Sequence, residues 1–150
     1  MKFVLLALLG CSVASAAERI APKVESIDPD DLLPALHAKE DFRTHAPTIR
    51  RGLVGSQLTY RAHSAQWFIE HGTVEDVPYL IDALSDESMH VGANYPVAGM
   101  ATTRYWVNVA LIVICKTSYD YRWDDSAEKR EYAISLWQQH WERIRTKEKE

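Results

Sequence analysis

His63 and His71 stand eight residues apart with Glu70 beside the second, a spacing that invites a metal reading. Zinc chemistry needs HExxH or a tight His/Cys cluster, and the chain carries neither, so no metal is expected. Asp120, Asp124 and Asp125 could crowd a Ca²⁺, but the ordered loop with its central Gly is missing and Arg122 sits among them. Helix capping and an ion pair to Arg122 account for these carboxylates. No GxSxG elbow supports serine chemistry at Ser56, Ser64, Ser85 or Ser88. Glu70 and Glu75 have the right chemistry for an acid/base pair, yet nothing brings them to a productive separation. Cys115 lies within an apolar run, which raises a thiol pKa and makes it inert. The expectation is therefore a non-enzyme with no catalytic residue, no metal and no cofactor.

Binding chemistry has more to work with. Tyr95, Tyr119, Tyr121 and Trp123 fall in two loops rather than on regular apolar faces, where rings can anchor a partner or stack on a sugar. Arg104 follows the first of these loops and can hold an anion or a peptide carboxylate, with His90 and Asn94 supplying further hydrogen bonds. The expected partner- or ligand-binding residues are His90, Asn94, Tyr95, Arg104, Tyr121 and Trp123. Two plainer readings stand beside this one. The rings could fold back over the open end of the core, and Arg104 could pair with Asp120 or Asp124 to clamp the loops together.

Composition narrows the class of partner. With 17 Lys plus Arg against 21 Asp plus Glu and a net charge of -4, the chain has no electrostatic footprint for nucleic acid. Its 150 residues, 47% of them apolar, suit one compact domain, and two Cys exclude a disulfide-stapled scaffold. Lys2, the apolar run of residues 3–10 and the small residues Ala14-Ser15-Ala16 make the three regions of a secretory signal peptide, expected to be cleaved after Ala16. The run is shorter than the roughly 20 residues a membrane-spanning helix needs, so no membrane span is expected. Leu8-Leu9-Gly10-Cys11 also approaches a lipobox, which leaves a lipid anchor at Cys11 as a minority reading. The expected location is periplasmic or secreted, and the expected partner is another envelope protein or a peptide.

The positioning elements follow from periodicity. Residues 17–55, with Pro at 22, 29, 34 and 47, read as a Pro-rich, extended lead-in with a single short helix over 30–37. Gly52 and Gly55 mark a break, and Ser56 is the expected N-cap of a helix over 57–71 in which Leu58, Ala62, Ala65 and Ile69 recur, ending at Gly72. Thr73 and Asp76 form a weak capping box for a second helix carrying Val77, Leu80, Ile81 and Leu84. Residues 86–101 make a long loop. From Thr102 or Thr103 to Cys115 the chain is apolar on nearly every side, which implies full burial. A helix is favoured by its neighbours there, while the β-branched content keeps a buried strand open for 107–115. Asp125 and Glu128 are the expected capping box of a last helix whose apolar face is Ala133, Leu136, Trp137, His140, Trp141 and Ile144, followed by a fraying tail over 145–150.

Arg61 precedes Trp67-Phe68-Ile69 by six residues, and Arg104 precedes Ala110-Leu111-Ile112 by the same interval, a repeat of 43. Helix-pair repeats of about 40 to 47 residues are the HEAT and armadillo range. The segment WFIEHGTVEDVPYLIDALSDES resembles the middle of a HEAT repeat: an apolar helix end, a Gly-centred turn, acidic residues, then a Val-Pro-x-Leu-Ile-x-Ala-Leu helix. The stretch ATTRYWVNVALIVICKTSYDYRWDDSAEKREYAISLWQQHWE looks like the terminal segment of bacterial secreted HEAT-like proteins, although Cys115-Lys116-Thr117-Ser118 stands where that pattern often has Thr-Gly. The resemblance covers about residues 56–142. It implies an all-α fold, a short HEAT-like helical-hairpin array of about four or five helices forming a domain over 56–150. Helical repeats mostly build binding surfaces, so the expected function is non-catalytic binding of a protein or peptide. A glycan or small-ligand binder using the loop aromatics is the first alternative and an unrecognised hydrolase the second.

Overall fold

The computed structural model describes residues 19–89, 100 and 102–147. The expected signal peptide, Cys11 and the 148–150 end of the tail lie outside these residues. Within them the chain is all-α, with six α-helices, one 3-10 turn and no strand beyond an isolated bridge between Met89 and Thr102.

Residues 17–55 are more than a lead-in, and the extended reading is corrected. Helix α1 (Pro29–Leu36) starts where Asp28 accepts from the Asp30 N–H at 3.0 Å, Pro29 occupies the first turn, and Asp30 and Asp31 face the positive end of the helix dipole. A second helix, α2 (Phe42–Gly52), follows a turn through Asp41, whose φ of 55° is left-handed. Pro47 lies inside α2 and takes away one intrahelical donor. The helix persists because Phe42, Ala46, Ile49 and Leu53 fall at the 3.6-residue period and pack on the core, outweighing the local penalty. Gly52 marks a close approach and not a break, since a Cβ there would overlap Ser64 Oγ and come within 2.9 Å of Leu32.

Helix α3 (Leu58–His71) begins after Gln57, one residue beyond the expected Ser56 cap, and buries Ala62, Ser64, Ala65, Trp67 and Phe68. Gly72 ends it at an ordinary φ of -70°. Its glycine is required by crowding, because a Cβ would meet Phe68 O and the Ile114 side chain. Thr73 and Asp76 form the expected capping box around a 3-10 turn (Val74–Asp76), which leads into α4 (Val77–Ala83).

The stretch that left helix and strand open is helical. Helix α5 (Thr103–Cys115) is capped by Thr102, whose hydroxyl accepts from the Tyr105 N–H at 3.3 Å, and it closes through Lys116 at a left-handed φ of 55°. Its burial is one-sided: Val107, Ala110 and Leu111 are sealed against α3 and α4, while Val109, Ile112, Val113 and Ile114 keep partial exposure. Helix α6 (Ala127–Lys147) starts where Ser126, and not Asp125, accepts from the Lys129 N–H at 3.4 Å. It continues through residues 145–147, where fraying was expected, and lays Ala133, Ile134 and Trp137 against α4.

The helices form an array. α1 packs on α2 and α3, α2 on α3, α3 on α5, α4 on α5 and α6. One core runs through Leu32, Ile49, Phe68, Leu80, Ile81, Leu111 and Trp137. The first described residues dock on this array as well: Asp82 accepts from the backbone N–H groups of Ile20 at 2.9 Å and Ala21 at 3.1 Å.

At the centre of the N-terminal half is a carboxylate with no solvent exposure. Asp76 accepts from Arg50 Nε at 2.8 Å, Arg43 Nη1 at 2.9 Å and the Thr73 N–H at 2.8 Å. Arg50 also lies over the Tyr79 ring at 4.6 Å. Removing the charge strands Arg50, so Asp76→Asn is expected to cost about 2–3 kcal/mol, less than a wholly buried pair because Arg43 reaches solvent. Urea unfolding measures this, and a cost below about 0.5 kcal/mol would show that the cluster contributes no more than a surface ion pair.

Candidate functional site

The sequence-predicted residues do not gather into one constellation. His90, Asn94 and Tyr95 lie outside the described residues. Tyr121 is a core residue, only 6% exposed, and its hydroxyl donates to Leu84 O at 2.9 Å, closing the C-terminus of α4. Burial pushes this phenol up to about 12, although the charges of Arg104 and Arg130 pull the other way. Tyr121 as an open stacking platform is therefore corrected. Trp123 remains half-buried at the wall of a shallow depression of about 200 Å³ shared with Tyr105, Asn108 and Asp124.

Arg104 faces elsewhere. It does not clamp the loops by pairing with Asp120 or Asp124, since Asp124 pairs with the adjacent Arg122 at 3.4 Å. It lines a pocket of about 370 Å³ together with Glu87, Arg130, Glu131 and the apolar side chains of Leu84 and Ile134. Arg104 is 9% exposed and, among the described residues, pairs with Glu87 at 3.7 Å from Nη1. That separation is outside hydrogen-bond range, and the buried Nε has no partner among the described residues. Arg130 reaches the same Glu87 oxygen at 2.6 Å and also donates to Asp125 O.

Both arginines sit in the first turn of a helix, α5 and α6, where the dipole is positive and a cation is disfavoured. Two low-exposure guanidiniums thus converge on Glu87, whose side chain is 72% exposed. Glu131 also borders the pocket from the solvent side. The positive groups are desolvated and the negative ones are wet, so the pocket favours an anion that can enter beside or in place of Glu87.

The chain was compared with protein-family models, with curated proteins and with solved structures. None of the three comparisons finds a match. The reading of the site accordingly rests on its own chemistry.

A neighbouring cleft of about 350 Å³ shares Ser85 and Ile134 with the Arg104 pocket and is walled by Arg50, Arg61, Tyr79 and Asp82. Its charged groups are engaged. Arg50 holds Asp76, Arg61 donates to Gly55 O and pairs with Asp86 at 3.1 Å, and Asp82 holds the N-terminal backbone. The two arginines of the 43-residue spacing therefore reach successive acids after α4, Arg61 to Asp86 and Arg104 to Glu87. Among the described residues the first makes hydrogen bonds, and the second has no partner at its Nε. Glu87 and Arg130 were not foreseen, and the available signal was an Arg placed against the dipole in the first turn of the last helix.

The remaining candidates are quiet. Among the described residues no group of three His, Cys, Asp or Glu side chains could hold a metal. His71 stacks on Phe42 at 3.8 Å between ring centroids. Burial pushes the half-buried Cys115 thiol up to about 11, which suppresses thiolate near neutral pH. Near the end of α6, the Tyr119 hydroxyl shares a hydrogen bond with His140 Nδ1 at 2.7 Å and accepts from Arg143 at 2.9 Å. Burial, then the Arg143 charge, lowers the His140 pKa below its ordinary 6.5.

Two predictions follow from these environments. Because the native state keeps His140 neutral, the unfolded chain takes up its proton first. The associated stability is intact above pH 6.5 and is lost as pH falls toward the lowered native value. An NMR titration should place the His140 midpoint below 6.5, and His140→Gln should remove that part of the acid-side slope of stability. Arg104→Met, which swaps a poorly paired buried cation for an apolar chain, should leave stability within about 1 kcal/mol of the parent or raise it. A loss above about 2 kcal/mol in thermal or urea unfolding would mark Arg104 as a structural clamp.

Proposed function

We propose that this chain is an exported, non-catalytic helical-repeat domain, similar to a short HEAT-like unit, that binds another protein or a peptide of the cell envelope. The packing of α3 on α5 and of α4 on α6, elements two apart in chain order, supports the repeat reading. The N-terminal sequence supports export, and no helix among the described residues is long and apolar enough to cross a membrane.

The observation that carries the binding assignment is Arg104: a guanidinium nine-tenths buried in a pocket, without a hydrogen bond to satisfy it among the described residues. Folding alone gives little reason to retain such a group, since an apolar residue would fill the same place at lower desolvation cost. The same pocket carries Glu87 and Arg130, and the half-buried Trp123 walls a separate depression that shares no lining residue with it. A glycan-binding reading needs a row of open rings, and the burial of Tyr121 removes one of them.

In-cell crosslinking of the tagged full chain, followed by recovery from the envelope fraction, tests this function. A discrete partner should be captured by the parent and lost by a folded Arg104→Gln, Trp123→Ala variant. Recovery of no partner by the parent, or equal recovery by both proteins, would remove the proposal.

A further inference from the structure

We infer that the Arg104–Arg130 pocket is a carboxylate-recognition site for a peptide chain, and that Glu87 is its internal stand-in, displaced when the partner's carboxylate enters. The inference rests on the binding function proposed above and specifies its chemistry.

The stand-in is identified by an asymmetry. Glu87 lies on the connection after α4, keeps most of its side chain in water, and engages both arginines through a single oxygen, Oε1. One contact is a short hydrogen bond to Arg130 and the other a separation of 3.7 Å from Arg104. A carboxylate seated between the guanidiniums can offer one oxygen to each arginine, giving each a charge-assisted hydrogen bond. On leaving, Glu87 exchanges its hydrogen bond to Arg130 for the water that its exposed side chain already meets.

The same surroundings select the charge of the ligand. A singly charged carboxylate replaces Glu87 one for one, whereas a dianionic phosphate would face Glu131 at the rim and Glu87 wherever it moves. The apolar wall of Leu84 and Ile134 continues at Ile134 and Ser85 into the adjoining cleft. That continuity gives the residues next to the carboxylate a surface on which to lie, so the ligand is a peptide, bound through its C-terminus or through an Asp or Glu side chain.

Three acetylated hexapeptides of otherwise identical neutral sequence separate these sources: one with a free C-terminus, one amidated with an internal Glu, and one amidated and neutral. Each is titrated into the ¹⁵N-labelled full chain while the Arg Nε–Hε resonances are followed, with inorganic phosphate as a fourth probe. At least one carboxylate peptide should shift both Arg104 and Arg130. The neutral peptide should shift neither, and phosphate should bind more weakly. Glu87→Gln should tighten carboxylate binding about tenfold by removing the competitor, and Arg130→Gln should weaken it at least tenfold even if Arg104 variants fail to fold.

Equal response to the neutral peptide, preference for phosphate, or weaker binding by Glu87→Gln would each overturn the inference. If no carboxylate peptide binds while crosslinked capture still depends on Arg104 and Trp123, this inference fails and the binding function stands. Carboxylate binding in a chain that captures no partner would count against the envelope-protein function alone.

Discussion

A carboxylate that sees no water needs partners on every side, and at Asp76 those partners come from two parts of the chain. Arg43 and Arg50 arrive from α2, and Thr73 arrives from the turn between α3 and α4. Without this junction α2 would be a Pro-containing helix of eleven residues with little intrinsic reason to form. With it, the last turn of α2 is fixed on α3 closely enough for Gly52 to touch Ser64. The position of α3 then governs α5, its most extensively packed neighbour, and α5 presents Arg104. The polar junction and the pocket are thus connected through rigid helices whose contacts allow little adjustment.

The two arginine clusters show opposite uses of the same ion. At Asp76 the anion is buried, Arg50 is largely enclosed with it and Arg43 reaches toward water, so the charges are balanced by strong hydrogen bonds. Around Glu87 the cations are largely buried and the anion is wet, with Arg104 Nε left without a partner among the described residues. The first arrangement specifies a fold. The second leaves free energy available to an incoming group.

Part of the architecture was legible because periodicity and capping agree there: the helix ending at His71 and the Thr73–Asp76 box both stand in the structure. Helix α2 was illegible because Pro47 is a local signal against helix, while the forces that overrule it, Ile49 burial and the Asp76 pairing, act between residues far apart in sequence. Residues 107–115 were ambiguous for a related reason: β-branched side chains suit either state, and only packing against α3 decides. At the candidate site, Arg104 could be singled out from its place after a long loop. Its true neighbours could not, since Glu87 and Arg130 converge only once α4 and α6 are packed, and Tyr121 turns inward to satisfy a carbonyl that no sequence pattern exposes.

The attachment of the leading segment to Asp82 sets an order of events during synthesis. Ile20 and Ala21 wait for an acceptor that lies 62 and 61 positions downstream. Until α4 has emerged and found its place, these residues have no anchor, and closing so long a loop must be offset by contacts formed elsewhere first. Ile20 and Ala21 consequently dock last, after the helical array behind them has consolidated.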